Sequence, residues 1–200
     1  DFRPDYRRIA TLLASLPPRT PVLATTATAN RRVSADIAEQ LGASVEAGGA
    51  DGEQVLVLRG TLERDSLHLG VRMLPDAASR LAWLTAYVRY AHGSGIIYCL
   101  TVSAAQEVAE HLRAVGVEVA AYTGQTEPAE RERLEEDLKA NRVRALVATS
   151  ALGMGFDKPD LAFVVHLGAP SSPVSYYQQV GRAGRGVEWA EVVLLPGQED

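Results

Sequence analysis

Two arginines three residues apart, each preceded by a glycine, close the segment Tyr176-Tyr177-Gln178-Gln179-Val180-Gly181-Arg182-Ala183-Gly184-Arg185. A guanidinium is planar, permanently charged and forked, so it matches phosphate oxygens well. Spacing of three puts Arg182 and Arg185 on one side of a helical turn. The glycines remove side-chain bulk, so a phosphate-bearing ligand can come close to the backbone. Standing alone, such a pair would be read as surface arginines facing nearby carboxylates. A second segment, Ala148-Thr149-Ser150-Ala151-Leu152-Gly153-Met154-Gly155-Phe156-Asp157-Lys158-Pro159, runs from a strand directly into a Gly-x-Gly turn followed by an acid and a lysine. Ligands of open α/β sheets sit beyond the C-terminal strand ends, where this loop belongs. It lacks the third glycine of a dinucleotide fingerprint. A third segment, Thr25-Thr26-Ala27-Thr28-Ala29, follows an apolar run. Its hydroxyls can relay hydrogen bonds to phosphates or water, although, standing alone, the segment would be read as a small-residue turn with a local Ser/Thr cap.

The elements that must position these groups alternate along the chain. Residues 5–16 place Ile9, Leu12, Leu13 and Leu16 on one helical face, and Pro17-Pro18 stops that helix. Val22–Thr25 reads as a short buried strand, residues 30–41 as a helix, and Val55–Leu58 and Leu67–Met73 as two more strands. From Pro75 onward the pattern becomes regular. Helices are predicted over 76–91, 103–115, 127–140 and 173–181, and strands over 95–99, 117–122, 145–149, 163–167 and 191–195. Short apolar strands alternating with helices imply a parallel sheet covered on both faces. Residues 75–200 hold enough strands for one complete domain, and residues 1–74 too few. The polar helix 127–140 is predicted to carry Glu127/Arg131, Arg131/Glu135 and Arg133/Asp137 pairs.

In this order and spacing, the segments resemble the RecQ family of superfamily 2 DNA helicases over nearly the whole chain. Asp1-Phe2-Arg3-Pro4-Asp5-Tyr6 looks like the tail of that family's aromatic-rich loop. Leu23–Ala29 looks like motif III, Ser94–Cys99 like motif IV, Ala148–Pro159 like motif V and Gln178–Arg185 like motif VI. The resemblance implies a RecA-like, P-loop-NTPase-type α/β fold. Residues 1–74 would be the end of a first motor domain and 75–200 a complete second one. It implies ATP as fuel, Mg2+ as its companion ion, and DNA as the track, with a role in DNA repair and recombination. Arg182 and Arg185 match arginines that reach the ATP phosphates, as arginine fingers do. Gln178, Gly155 and Asp157 match nucleotide-binding positions. Thr25, Thr26 and Thr28 match the segment coupling ATP to DNA, and Thr101 and Thr149 match hydroxyls that touch the DNA backbone. The chain departs from the family at Leu100-Thr101-Val102, where Asn-Ser-Arg is usual. It departs again at Tyr122-Thr123-Gly124-Gln125, which lacks a histidine, and at Gln179, where Glu is frequent.

The 200 residues include only two lysines, Lys139 and Lys158. Neither follows the glycines of a phosphate-binding P-loop, and no Asp-Glu-x-His is present to hold magnesium. The main groups for ATP and Mg2+ are therefore expected outside this sequence, which reads as a fragment inactive by itself. Net charge is −5, with hydrophobic residues at 46% and charged ones at 22%, an ordinary globular composition. Such a charge does not suit a protein that coats nucleic acid, but a local strip of contacts is compatible with it. One cysteine excludes an intrachain disulfide, and Cys99 reads as a buried strand residue. His68, His92, His111 and His166 have no ligand spacing, so no metal site is expected. No apolar run reaches the length of a membrane span. The charged N-terminus carries no secretory signal, so a cytoplasmic location, at a bacterial nucleoid, is expected. The alternatives are another superfamily 2 ATPase, an RNA helicase or remodeller, and a non-enzymatic RecA-like binding module.

Overall fold

The computed structural model describes residues 6–17, 20–25, 31–40, 56–58, 60, 64–152 and 156–197. The chain divides into two compact units, Asp1–Thr61 and Leu62–Asp200. In the first, α1 (Tyr6–Ala14) and α2 (Arg31–Gln40) are the regular elements among the described residues. The predicted strand over 22–25 is not formed, and Leu23 is 87% exposed. The described part of the Val55–Leu58 strand, residues 56–58, is likewise irregular and exposed. A strand exists only when its backbone groups are paired with a neighbour, and no ladder is present among the described residues of this unit. On the predicted apolar face of α1, Ile9, Leu12 and Leu16 all face solvent.

The second unit is built on a parallel sheet of β1 (Leu67–Val71), β2 (Ser94–Cys99), β3 (Val119–Tyr122), β4 (Ala145–Ala148), β5 (Leu161–Leu167) and β6 (Ala190–Leu195). Its strand order is β1-β6-β5-β2-β4-β3. The helices are α3 (Ala77–Tyr90), α4 (Val102–Ala114), α5 (Pro128–Lys139) and α6 (Pro173–Val180). Alternation along each strand sends side chains to opposite faces. On one face Ile96, Tyr98 and Val164 pack under Leu134 and Leu138 of α5 and Val180 of α6. On the other, Ile97, Cys99 and Val165 pack under Leu84 and Val88 of α3 and Leu112 of α4. This is the α/β parallel sheet, covered on both faces, that the residue pattern predicts. Cys99 is buried as expected, and burial pushes its thiol up to about 12.

The boundary differs from the expected one at 74/75. Leu67–Val71 pairs residue by residue with Ala190–Leu194, so β1 is an edge strand of the second unit. The pairing joins residues more than a hundred positions apart, which local pattern cannot reveal. Helix starts are capped by side chains. Asp76 accepts the Ser79 amide at 2.7 Å, Thr101 accepts Ala104 at 3.1 Å and Ser172 accepts Ser175 at 3.1 Å. Gly116, at φ 81°, ends α4 as its position predicts. The ion pairs expected of Arg131 are replaced. Its guanidinium donates instead to the carbonyls of Gly124 and Thr126, both at 2.8 Å, and braces the loop after β3. Two exposed pairs, Arg133–Glu130 and Lys139–Glu136, decorate α5 at i,i+3. Arg142–Asp137 closes its end.

Candidate functional site

The chain leaves β2 through α4 toward β3, and leaves β5 through α6 toward β6 on the other side. Between the C-terminal ends of β2 and β5 the winding therefore reverses, which opens a crevice there. The turn that carries both arginines lies instead against the N-terminal starts of β1, β5 and β6. Both arginines stand just past the helix, as the predicted span 173–181 implies, since α6 ends at Val180 and Gly181 caps it. Arg182 and Arg185 stand in the turn beyond.

The two arginines are held differently. Arg182 donates from Nη2 to the Leu152 carbonyl at 3.1 Å and from Nη1 to the Phe156 carbonyl at 3.2 Å. Leu152 and Phe156 are themselves buried in the core, so this fork bridges the two anchored sides of the loop after β4. Arg185 donates from Nε to the Gly181 carbonyl at 3.1 Å and pairs through Nη1 with Asp157 Oδ1 at 2.7 Å. Arg185 and Asp157 are 44% and 57% exposed, so water and solutes reach both.

Backbone and small side chains lock this turn onto the sheet. The Gly184 N–H donates to Leu161 O at 3.1 Å and the Gly186 N–H to Pro159 O at 2.7 Å. Gly184 has φ +67°, and a Cβ there would fall 2.8 Å from Ser66 Oγ and 2.9 Å from Leu67 Cδ2. The space that the sequence suggests for a ligand is thus occupied by β1 and the residue before it. Gly184 is needed for its backbone conformation and for that close approach. Ser66 Oγ donates to Gly184 O at 2.6 Å and Arg64 Nη1 to Gly181 O at 3.0 Å. Sequence reasoning misses Arg64 and Ser66, since they fall in the segment assigned to the preceding domain.

Lys158 also turns away from any ligand role. Its side chain is buried, and Nζ pairs with Asp160 Oδ1 at 2.6 Å, holding the Asp160 carboxyl below its ordinary value. Asn141 donates to Asp160 at 3.4 Å and accepts from Ser94 Oγ at 2.9 Å. This network pins the turn before β5.

Of the remaining predicted residues, Gln178 is exposed on α6, one turn before Arg182. Thr101 and Thr149 follow the neighbouring strands β2 and β4. The Thr101 hydroxyl caps α4 and is exposed, while that of Thr149 is buried and accepts the Ala151 amide at 3.3 Å. Thr25 lies exposed in the first unit. Thr26, Thr28 and Gly155 lie outside the described residues. Under the arginines, Tyr98 of β2 is buried, and burial pushes its hydroxyl up to about 12 against the pull of Arg182. His166 of β5, unremarked by its spacing, touches both Tyr98 and α6. Among the described residues no three carboxylate, imidazole or thiol groups converge to hold a metal ion. Among the described residues no helix is long and apolar enough to cross a membrane.

The arrangement suits an anion. A guanidinium fork held by an exposed carboxylate is exchangeable, because such pairs contribute about 1 kcal/mol or less. A polyphosphate offers the same fork complementary oxygens and more charge.

The helicase conserved C-terminal domain family matches residues 79–187. The ATP-dependent DNA helicase RecQ of Haemophilus influenzae is 37% identical over 98% of this chain, and the match covers 30% of that protein. The ATP-dependent DNA helicase Q1 of Rattus norvegicus is 34% identical over all of this chain and 31% of its own length. The chain thus spans under a third of the relatives it matches. Among solved structures, the Saccharomyces cerevisiae protein Dbp5 bound to RNA and ADP BeF3 superposes with a TM-score of 0.74. It is 22% identical, with 94% of this chain and 48% of that one covered. The likeness is one of fold.

Proposed function

This chain belongs to the helicase conserved C-terminal domain family, and from that premise we propose that it is the motor core segment of a RecQ-type, ATP-dependent DNA helicase. Residues 62–200 are its second RecA-like domain, and residues 1–61 the closing part of the first. The observation that carries the reading is the contact between the two motif-like segments at the strand edge. Arg182 clamps the loop after β4, and Arg185 rests on Asp157 of that loop. The first domain binds ATP by its phosphate-binding loop, and Mg2+ is held there. Arg185 leaves Asp157 and supplies positive charge to the transferring phosphoryl group, the role of an arginine finger. Arg182 keeps the loop that bears Gly155 and Asp157 in place and adds its own charge. Gln178 faces the nucleotide from α6. Thr101, exposed at the end of β2, holds the DNA backbone and positions the strand without reading its sequence, whereas the buried Thr149 hydroxyl, bonded to the Ala151 amide, supports the loop after β4 instead. Thr25, Thr26 and Thr28 pass the state of the ATP site to the DNA track.

The test is ATP turnover by the full-length helicase containing this chain, with and without single-stranded DNA. Arg185→Ala should lower turnover on the order of 10³-fold while ATP binding persists. Turnover within a few-fold of the unaltered enzyme rules the finger out. Stimulation by RNA in place of DNA would reassign the track.

A further inference from the structure

His166 lies in β5, is 1% exposed and stands in register with Tyr98 of β2. Its ring stacks on Tyr98, with centroids 5.3 Å apart and planes at 18°. Tyr176 of α6 covers it at 5.0 Å. Nε2 lies 2.9 Å from Gln179 Oε1. An amide oxygen only accepts, so Nε2 carries the proton and Nδ1 is the bare nitrogen. Nδ1 is buried and has no hydrogen-bond partner among the described residues.

A half-satisfied imidazole in the core is costly. A phenyl ring would fill the same stack without that cost. What the histidine adds is a single hydrogen bond to α6. That helix is short, and Val180 is its one fully buried residue, so its apolar anchorage is thin. Gln179, fastened by its side chain to His166, accepts the Arg182 N–H at its own carbonyl, at 3.3 Å. A line of contacts therefore runs from β5 through Gln179 to the backbone of Arg182.

We propose that His166 is a positioning residue, which fixes the end of α6 through Gln179 and so sets where Gln178, Arg182 and Arg185 stand. The proposal rests on the helicase reading above for its consequence, and on the contacts alone for its geometry. Burial pushes the ring down to about 4, against the opposing pull of the Gln179 hydrogen bond, so it works as a neutral donor. The groups facing it are Tyr98 from β2 and Tyr176 and Gln179 from α6, none of them charged.

The experiment measures kcat and KM for ATP in the full-length helicase at saturating single-stranded DNA. The variants are His166→Phe, Gln179→Leu and the double substitution. Each single change should lower kcat about tenfold while KM moves less than about twofold, and the double should be no worse than the worse single. Gln179→Glu restores an acceptor. It should keep kcat within about threefold and add an ionisation near neutral pH, because the carboxylate favours the imidazolium. Losses that multiply in the double variant, or an unchanged kcat in His166→Phe, overturn the proposal. Should the unaltered protein show no DNA-stimulated ATPase, the helicase reading fails and the geometry is decided separately. Imidazole 15N shifts of this chain should show Nε2 protonated, with that signal perturbed by Gln179→Leu. Protonation at Nδ1 instead overturns it.

Discussion

Arg185 and Asp157 meet at 2.7 Å between the turn that follows α6 and the loop that follows β4, with both side chains about half in solvent. Water competes for each partner, so the pair is a resting contact rather than a support of the fold. Asp157→Ala should change the unfolding free energy of the chain by less than about 1 kcal/mol. Urea denaturation at low and high salt checks this, and a loss of several kcal/mol would make the pair a structural one.

Arg182 should behave otherwise. Its two terminal nitrogens reach carbonyls on either side of one loop, a span that a single ammonium cannot copy. Arg182→Lys is expected to cost about 1–2 kcal/mol of stability, whereas Arg185→Lys costs little. Equal midpoints for the two variants in the same urea titration would show that the bridging fork contributes nothing.

How far these roles can be read from sequence depends on whether a contact is local. The strands β2, β4 and β5 are legible because a continuous apolar run is what a strand buried on both faces requires. Gly116 is legible as a helix stop for a similar local reason. The membership of β1 in the second sheet is not, since it depends on a partner at residues 190–194. Val22–Thr25 fails in the opposite sense: its composition is that of a strand, but no described neighbour pairs with it. At the site, the sequence identifies Arg182, Arg185 and Asp157 as chemistry-bearing, yet only coordinates separate a fork spent on carbonyls from one resting on a carboxylate. His166 looks idle in sequence because its partner is an amide thirteen residues away, not a second metal ligand.

His166 also predicts a pH dependence. Its pKa is about 4 in the folded chain, against an ordinary value of about 6.5, so the unfolded chain binds the proton more readily. The stability it contributes is complete above about pH 6.5 and is lost as pH falls from there to about 4, below which the loss stops. The total is on the order of 3 kcal/mol. Asp76 and Asp160 also have lowered pKa values, so their contribution has the same sign, but it falls away only below the ordinary carboxylate range. Unfolding free energies at pH 7 and pH 5 should therefore converge when His166→Phe is compared with the unaltered chain. If both proteins lose equal stability over that interval, His166 is not the group responsible.

Thr101 carries two assignments that one pair of substitutions can separate. Its hydroxyl accepts the Ala104 amide and caps α4, while its exposed position after β2 is the one proposed above for a DNA contact. Thr101→Ala removes the cap and should cost about 1 kcal/mol. Thr101→Asp keeps an acceptor at the cap and adds a negative charge at the helix N-terminus, where the backbone dipoles favour it, so stability should hold or rise. The same charge opposes a DNA phosphate. In the full-length helicase, Thr101→Asp should therefore require several-fold more single-stranded DNA for half-maximal ATPase, and more steeply so at low salt. A DNA requirement identical to that of the unaltered enzyme, in a variant at least as stable, would leave Thr101 as a helix cap alone.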